Sequence, residues 1–228
     1  MTTRLYLVRH GATQLSAEDR FAGSIGVDLS EQGRDQARRL SARLANDDLR
    51  AIYASPLSRT IETAEIIARP HGLPVTPAEG LQEASHGHWE GMTRKEVETQ
   101  YPDEYAAWDS DPFTFAPEGG ESGIVVLARA LPVIRELVLK HQGENVLIVS
   151  HKATLRLILS SLLGFDVRGY RDRLDQAPAC LNILDFKDPV RTRLMLFNDV
   201  SHYADHPGRP NEHLSKWWDP GNVEIKTR

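Results

Sequence analysis

The sequence predicts an α/β protein, a three-layer α/β/α sandwich around a mainly parallel central sheet. Three observations carry this expectation. Short apolar runs at residues 5–8, 51–54 and 145–149 have the length of strands, and each leads into a segment with helical spacing of apolar residues. The alternation of strand and helix continues through residue 163, which places helices on both faces of the sheet. No internal repeat, low-complexity tract or composition break long enough for an interdomain linker interrupts the chain.

Length and composition bound the rest. At 228 residues the chain can bury a sizeable core, and it reads as one domain over residues 1–200 with an extension over 201–228. Within the domain, 93–120 is the candidate for an inserted cap. A net charge of −5 gives no general affinity for nucleic acid, so any anion site must be a local cluster of Arg, Lys and His. The single cysteine, Cys180, excludes an intramolecular disulfide and sits in an apolar alternating run, as a small core residue would. No basic-then-apolar leader precedes the first strand, and no apolar run approaches the roughly 20 residues of a membrane helix. A cytoplasmic protein without a membrane partner is expected.

The first strand ends abruptly in Arg9-His10-Gly11-Ala12-Thr13. Residues 11–29 are polar and carry Gly23 and Gly26, so they read as a loop over the strand end. Ser30 is the expected N-cap of a helix with Ala37, Leu40 and Leu44 inward, and its arginines 34, 38, 39 and 43 mostly face water. After the second strand, Ser55-Pro56 predicts a helix start with Ser55 as cap, Pro56 as first residue, and Leu57, Ile61, Ala64 and Ala68 on the buried face. Arg59 then falls in the first turn, where a cation is unfavourable unless an anion stands in front of it.

Residues 69–80 form a connection with one strand around Val75, and Glu83 to Gly91 is a loop with two carboxylates and two histidines. His86-Gly87-His88 lacks a second ligand cluster of the usual metal spacing, so acid–base work by a carboxylate is the better use of this loop. A surface helix over 93–110 presents Tyr101, Tyr105 and Trp108. A longer helix over about 122–141 turns Ile124, Leu127, Leu131, Ile134 and Val138 inward, and Pro132 should kink or divide it. The strand at 145–149 ends in Ser150-His151-Lys152-Ala153, repeating the pattern of the first. Runs at 179–186 and 192–198 read as a hairpin. The remainder, with His202, His206, His213 and Trp217-Trp218, shows no periodicity and is open to three readings, an arm over the site, a dimer contact or a loose tail. In open α/β sheets ligands bind at the carboxyl ends of the strands. Adjacent, parallel first and 145–149 strands would bring Arg9, His10 and His151 together there, and Arg59 can join them.

The ordered set of Arg9-His10-Gly11-Ala12-Thr13, Leu29-Ser30 to Gly33 with Gln36-Ala37, Ser55 to Ala64, Glu83 to Gly91 and Ser150-His151 resembles the histidine phosphatase superfamily, also called phosphoglycerate mutase-like. The resemblance covers residues 4 to about 165. It implies that His10 is a nucleophile that becomes phosphohistidine, that Arg9, Arg59 and His151 surround the transferred phosphoryl group, and that Glu83 serves as acid and then base. It implies catalysis without a metal or other cofactor. The usual glutamate after Arg-His-Gly is Ala12, and the usual asparagine three residues after the threonine is Ser16, which retains one hydrogen-bonding group for the phosphate pocket. Lys152 replaces a usual glycine. It can add a cation for a second phosphate or carboxylate, or stand as an exposed first-turn lysine. Mutases of the superfamily commonly carry Glu-Arg-His-Tyr-Gly, whereas this chain has Glu83-Ala84-Ser85-His86-Gly87, which favours hydrolysis. The expected activity is a phosphomonoesterase for a small phosphorylated metabolite, a sugar phosphate or a phosphoglycerate-like acid. The alternatives are a mutase and a non-catalytic phospho-ligand module, and a homodimer is left open.

Overall fold

Alternate residues of a strand point to opposite faces, so β1 (Thr3–Arg9), with Leu5 and Leu7 on one side and Tyr6 and Val8 on the other, must be covered twice. The computed structural model describes residues 2–18 and 20–205, with Ser16 and Ala17 described as backbone only. It meets that demand with helices on both faces of a six-stranded sheet. Leu5 and Leu7 pack against Ala130, Ile134, Leu137 and Val138 of α6 (Gly123–Lys140) and Leu155, Ile158 and Leu159 of α7 (Lys152–Leu162). Tyr6 and Val8 pack against Leu40 and Leu44 of α2 (Glu31–Leu44) and Ala64, Ile67 and Ala68 of α3 (Ser58–Ala68).

The strand order is β3 (Val75–Pro77), β2 (Leu49–Ala54), β4 (Asn145–Ser150), β1, β5 (Leu181–Phe186), β6 (Thr192–Asp199). The first four are parallel, and the expected hairpin continues the sheet, β5 pairing antiparallel with β1 and β6 antiparallel with β5. The register of β1 on β4 sets Arg9 opposite Ser150, so the residues that follow, His10 and His151, leave the sheet side by side. Ala54 pairs with Val149, which brings the end of β2 to the same edge.

Three expected elements differ from what forms. Ser55 does not cap α3. Its N–H donates to the Val149 carbonyl and so prolongs the pairing with β4, while its hydroxyl is engaged elsewhere; the helix begins at Ser58, with Leu57 in the cap position. The 93–110 segment is two helices, α4 (Arg94–Gln100) and α5 (Pro102–Ser110), because Tyr101, which precedes a proline, leaves the helical region at φ −132° and ψ 58°. A Thr93–Glu96 capping box starts the first of them. In contrast, α6 runs unbroken through Pro132, which sits on its exposed face together with Ala128, whose carbonyl loses its partner to water. The inward stripe of α6 is Val126, Ala130, Ile134, Leu137 and Val138; Ile124, expected inside, is 46% exposed. The arginines of α2 are ion-paired: Arg34 with Glu62, Arg38 with Glu31, Arg39 with Asp35 and Arg43 with Asp199. His206, His213 and Trp217-Trp218 lie outside the described residues.

The turn after β1 is tight. α2 passes so close that a Cβ on Gly33 would press into the Ala12 carbonyl, and one on Gly11 into the Gly33 carbonyl. Both obstacles are backbone, so neither can swing aside. Gly33→Ala is therefore expected to lower stability by about 1–3 kcal/mol, read as the midpoint of urea unfolding, whereas the same change at Gly26, which faces open space, leaves the midpoint nearly unchanged.

Candidate active site

A cavity of about 420 Å³ opens at the carboxyl ends of β1 and β4, and its walls include Arg9, His10, Arg59, Glu83 and Lys152. His10 is buried, and its Nδ1 lies 2.7 Å from the Gly11 carbonyl. Its pKa is driven well below the ordinary histidine range, first by burial and then by the Arg9 and Arg59 charges. A neutral ring at that distance from a carbonyl must carry its proton on Nδ1, which leaves the Nε2 lone pair unprotonated. The His10 carbonyl accepts from the N–H of Ala179, a non-glycine residue held at φ 52°.

His151 stands edge-on to His10, ring centroids 5.2 Å apart. Burial first, then Arg59 and His10, also push its pKa well down. Its Nε2 is 2.8 Å from Ser55 Oγ. That hydroxyl is fully buried, and the other group near it, the Leu57 N–H, is itself a donor, so the hydroxyl proton goes to His151. Nε2 is then the acceptor and Nδ1 carries the ring proton. This Nδ1 is buried without a partner.

The two arginines are held by carbonyls rather than carboxylates. Arg9 donates through Nη1 to the Gln176 carbonyl at 2.6 Å, and Arg59 donates to the Ile25 and Gly23 carbonyls at 2.8 and 2.7 Å. In each the Nε–H is buried and unpartnered. Burial lowers both pKa values below the usual arginine range, yet guanidinium groups remain charged. Buried donors without a partner within the protein are rare.

Glu83 is seated on the first turn of α7. Its carboxyl group accepts from the Ala84, Ala153 and Thr154 N–H groups, each at 3.1 Å. The backbone beneath it is fixed by Arg129, which donates to the Gly80, Gln82 and Glu83 carbonyls and forms a two-pronged ion pair with Glu121.

The structure thus brings Arg9, His10, Arg59, Glu83 and His151 to one edge of the sheet. Lys152, the first residue of α7, joins the cavity wall, its Nζ 3.2 Å from Asp175. Ser16 lies in α1 (Gln14–Ala17), and its side chain is outside the described residues. His86 lines the cavity against Phe21, while His88 turns away to the Glu118 carbonyl and Glu104, so the two do not converge. Cys180 is buried with its thiol donating to Gln176, and burial pushes its pKa up to about 12. It packs behind Arg9 as a core residue.

Sequence reasoning missed Arg156, Asp175, Arg129 and the role of Ser55. Arg156 was legible, since it stands four residues after Lys152 and so on the same helix face. Asp175 and Gln176 sit in a loop without periodicity, and only folding brings them to the site.

The fold and this cluster define a class, and comparison with known proteins agrees: the chain belongs to the histidine phosphatase superfamily (branch 1), whose family model matches residues 5–200. Among relatives, it is 36% identical to phosphoserine phosphatase 1 of Hydrogenobacter thermophilus over 164 residues, 72% of this chain and 78% of that one. It is 35% identical to the glucosyl-3-phosphoglycerate phosphatase of Mycolicibacterium vanbaalenii over 171 residues, 72% of this chain and 76% of the relative. Of the solved structures, Bacillus stearothermophilus YhfR superposes with a TM-score of 0.82 at 34% identity, covering 88% of this chain and 98% of that one. Among the described residues, no helix is long and apolar enough to cross a membrane.

Two outcomes follow from the buried histidines. His10 and His151 stay neutral in the folded protein below the pH at which they protonate in the unfolded chain, about 6.5. The unfolded state then binds more protons, so stability falls as pH drops below about 6.5, with a slope of up to roughly 1.4 kcal/mol per pH unit for each histidine. Urea midpoints at pH 7.5 and 5.5 should differ in that direction, and His151→Asn should reduce the difference. Ser55→Ala removes the hydroxyl that holds the His151 tautomer and is expected to lower kcat for phosphoester cleavage by about tenfold. Ser55→Thr, which retains a hydroxyl, should recover part of that loss.

Proposed function

We propose that this protein is a phosphomonoesterase of small phosphorylated metabolites that works through a phosphohistidine on His10. The observation that carries the reading is the state of His10: neutral, with Nδ1–H given to Gly11 and Nε2 free, beside three buried N–H groups that have no acceptor. A nucleophile with its lone pair exposed and donors already set for the anion it attacks is arranged for phosphoryl transfer.

In this reading His10 Nε2 attacks phosphorus, the N–P bond forms, and the ester P–O bond opposite it breaks. Arg9, Arg59 and His151 Nδ1–H stabilise charge on the equatorial oxygens, in a cavity where burial strengthens each interaction. Glu83 passes a proton to the departing alkoxide. Its carboxylate then takes a proton from water as that water attacks the phosphohistidine, returning neutral His10 and inorganic phosphate. The positive charge comes from the side chains named, so no metal enters the scheme. The names of the relatives, phosphatases for phosphoserine and for glucosyl-3-phosphoglycerate, support small phosphorylated acids as the substrate class. The helices α4 and α5 would form the outer wall that selects among them, since Arg94 and Trp108 face the cavity.

Release of inorganic phosphate from p-nitrophenyl phosphate and from a metabolite panel, with chelator present, tests the reading. The wild type is expected to release phosphate and, on rapid denaturing quench, to carry acid-labile protein-bound phosphate; His10→Ala should do neither. Arg59→Met should lower kcat by about 10²–10³-fold, the usual cost of one oxyanion donor. Interconversion of phosphate positions without net release would replace the hydrolase reading by a mutase.

A further inference from the structure

Beyond the reacting phosphoryl group, one wall of the cavity carries positive charge that the scheme above does not use. Lys152 and Arg156 stand one turn apart on α7, on the same face of the helix, and both line the cavity. A single carboxylate serves them both: Asp175 Oδ1 lies 3.2 Å from Lys152 Nζ and 2.8 Å from Arg156 Nη2. The side chain of Arg156 is only 5% exposed, and its Nε–H is buried with no partner. The next residue after Asp175 is Gln176, whose carbonyl holds Arg9, so this wall is continuous with the phosphate pocket.

The charges do not balance. With Glu83 carrying the proton that it gives to the leaving group, a phosphomonoester dianion is matched by Arg9 and Arg59, and Lys152 and Arg156 face one carboxylate within the same low-dielectric space. Lys152 registers the surplus: burial first, then Arg156 and Arg9, bring its pKa down to about 7. A buried cation cluster in want of an anion, with an unsatisfied donor among its members, is a binding site for one. The other arginines around the cavity are engaged elsewhere: Arg20 is paired with Glu18 and Glu96, Arg94 lies over the Phe21 and Trp108 rings, and Arg171 is paired with Asp109 and Asp172 while it stacks on Trp108.

We propose that Lys152 and Arg156, held by Asp175, form a second anion subsite, so that the substrate is a phosphomonoester bearing another acid group, carboxylate or phosphate, a few bonds from the ester. This rests on the phosphatase reading and narrows it, because neutral sugar phosphates and simple alcohol phosphates fall outside the preferred class. Lys152 then belongs to substrate recognition, and the chemistry at phosphorus stays with His10.

Matched esters test it in the wild-type protein. 3-Phosphoglycerate against glycerol 3-phosphate isolates a carboxylate; glucose 1,6-bisphosphate against glucose 6-phosphate isolates a second phosphate. The acid member of at least one pair should have a kcat/KM higher by about tenfold or more, carried mainly by KM. Lys152→Met should bring that ratio to within about threefold of one, and Lys152→Arg should keep it. Ratios near one in both pairs, with p-nitrophenyl phosphate still cleaved in a His10-dependent way, overturn the subsite and leave the phosphatase standing. A ratio unchanged by Lys152→Met also overturns the subsite as drawn, and absence of His10-dependent cleavage of every ester overturns both readings.

Discussion

The structure depends on one pairing, that of β1 with β4 in parallel and in register. Arg9 lies opposite Ser150, the His10 N–H donates to the Ser150 carbonyl at 3.0 Å, and the two histidines therefore emerge as neighbours. A shift of one residue would send every side chain of β1 to the opposite face, exposing Leu5 and Leu7 to the wrong layer and separating the rings. The two hydrophobic layers thus enforce the geometry of the site: α6 with α7 and α2 with α3 accept one register only. β2 joins the same constraint, since Ser55, one residue past its end, still donates to Val149 and so meets His151.

On that frame the site gathers like charges, which must be made tolerable without being cancelled. Carboxylates bonded to Arg9 and Arg59 would neutralise them; backbone carbonyls of Gln176, Gly23 and Ile25 orient them and leave their charge available. The same economy appears in the histidines. Each has one ring nitrogen committed to a partner that settles the tautomer, a carbonyl for His10 and a hydroxyl for His151. Burial keeps both neutral, so the guanidinium groups are not opposed by two more cations beside them. Folding accepts this unfavourable electrostatic arrangement because the surrounding layers are large and apolar.

Much was legible in the chain itself. Apolar runs of strand length alternating with 3.6-residue periodicity specify a parallel α/β sheet, and strand ends in Arg9-His10 and Ser150-His151 mark where its ligand edge lies. Local signals also misled where a tertiary demand outweighed them. Ser55-Pro56 has the form of a helix start, but the sheet claims the Ser55 N–H and His151 claims its hydroxyl. Pro132 should break a helix, but on the exposed side of α6 the lost hydrogen bond falls to water.

What the sequence determined by itself is the set of elements and the chemical types at their ends, because hydrophobic period and strand-end residues are properties of neighbours along the chain. Only the tertiary structure decided the tautomers of His10 and His151, the seating of Glu83 on the α7 amides, and the sharing of Asp175 between Lys152 and Arg156. Apart from the His10 bond to its neighbour Gly11, each of these is a relation between groups well separated in sequence, and all are made in a space where burial multiplies the strength of a charge or a hydrogen bond, a space that exists only once the sheet has closed against its two layers.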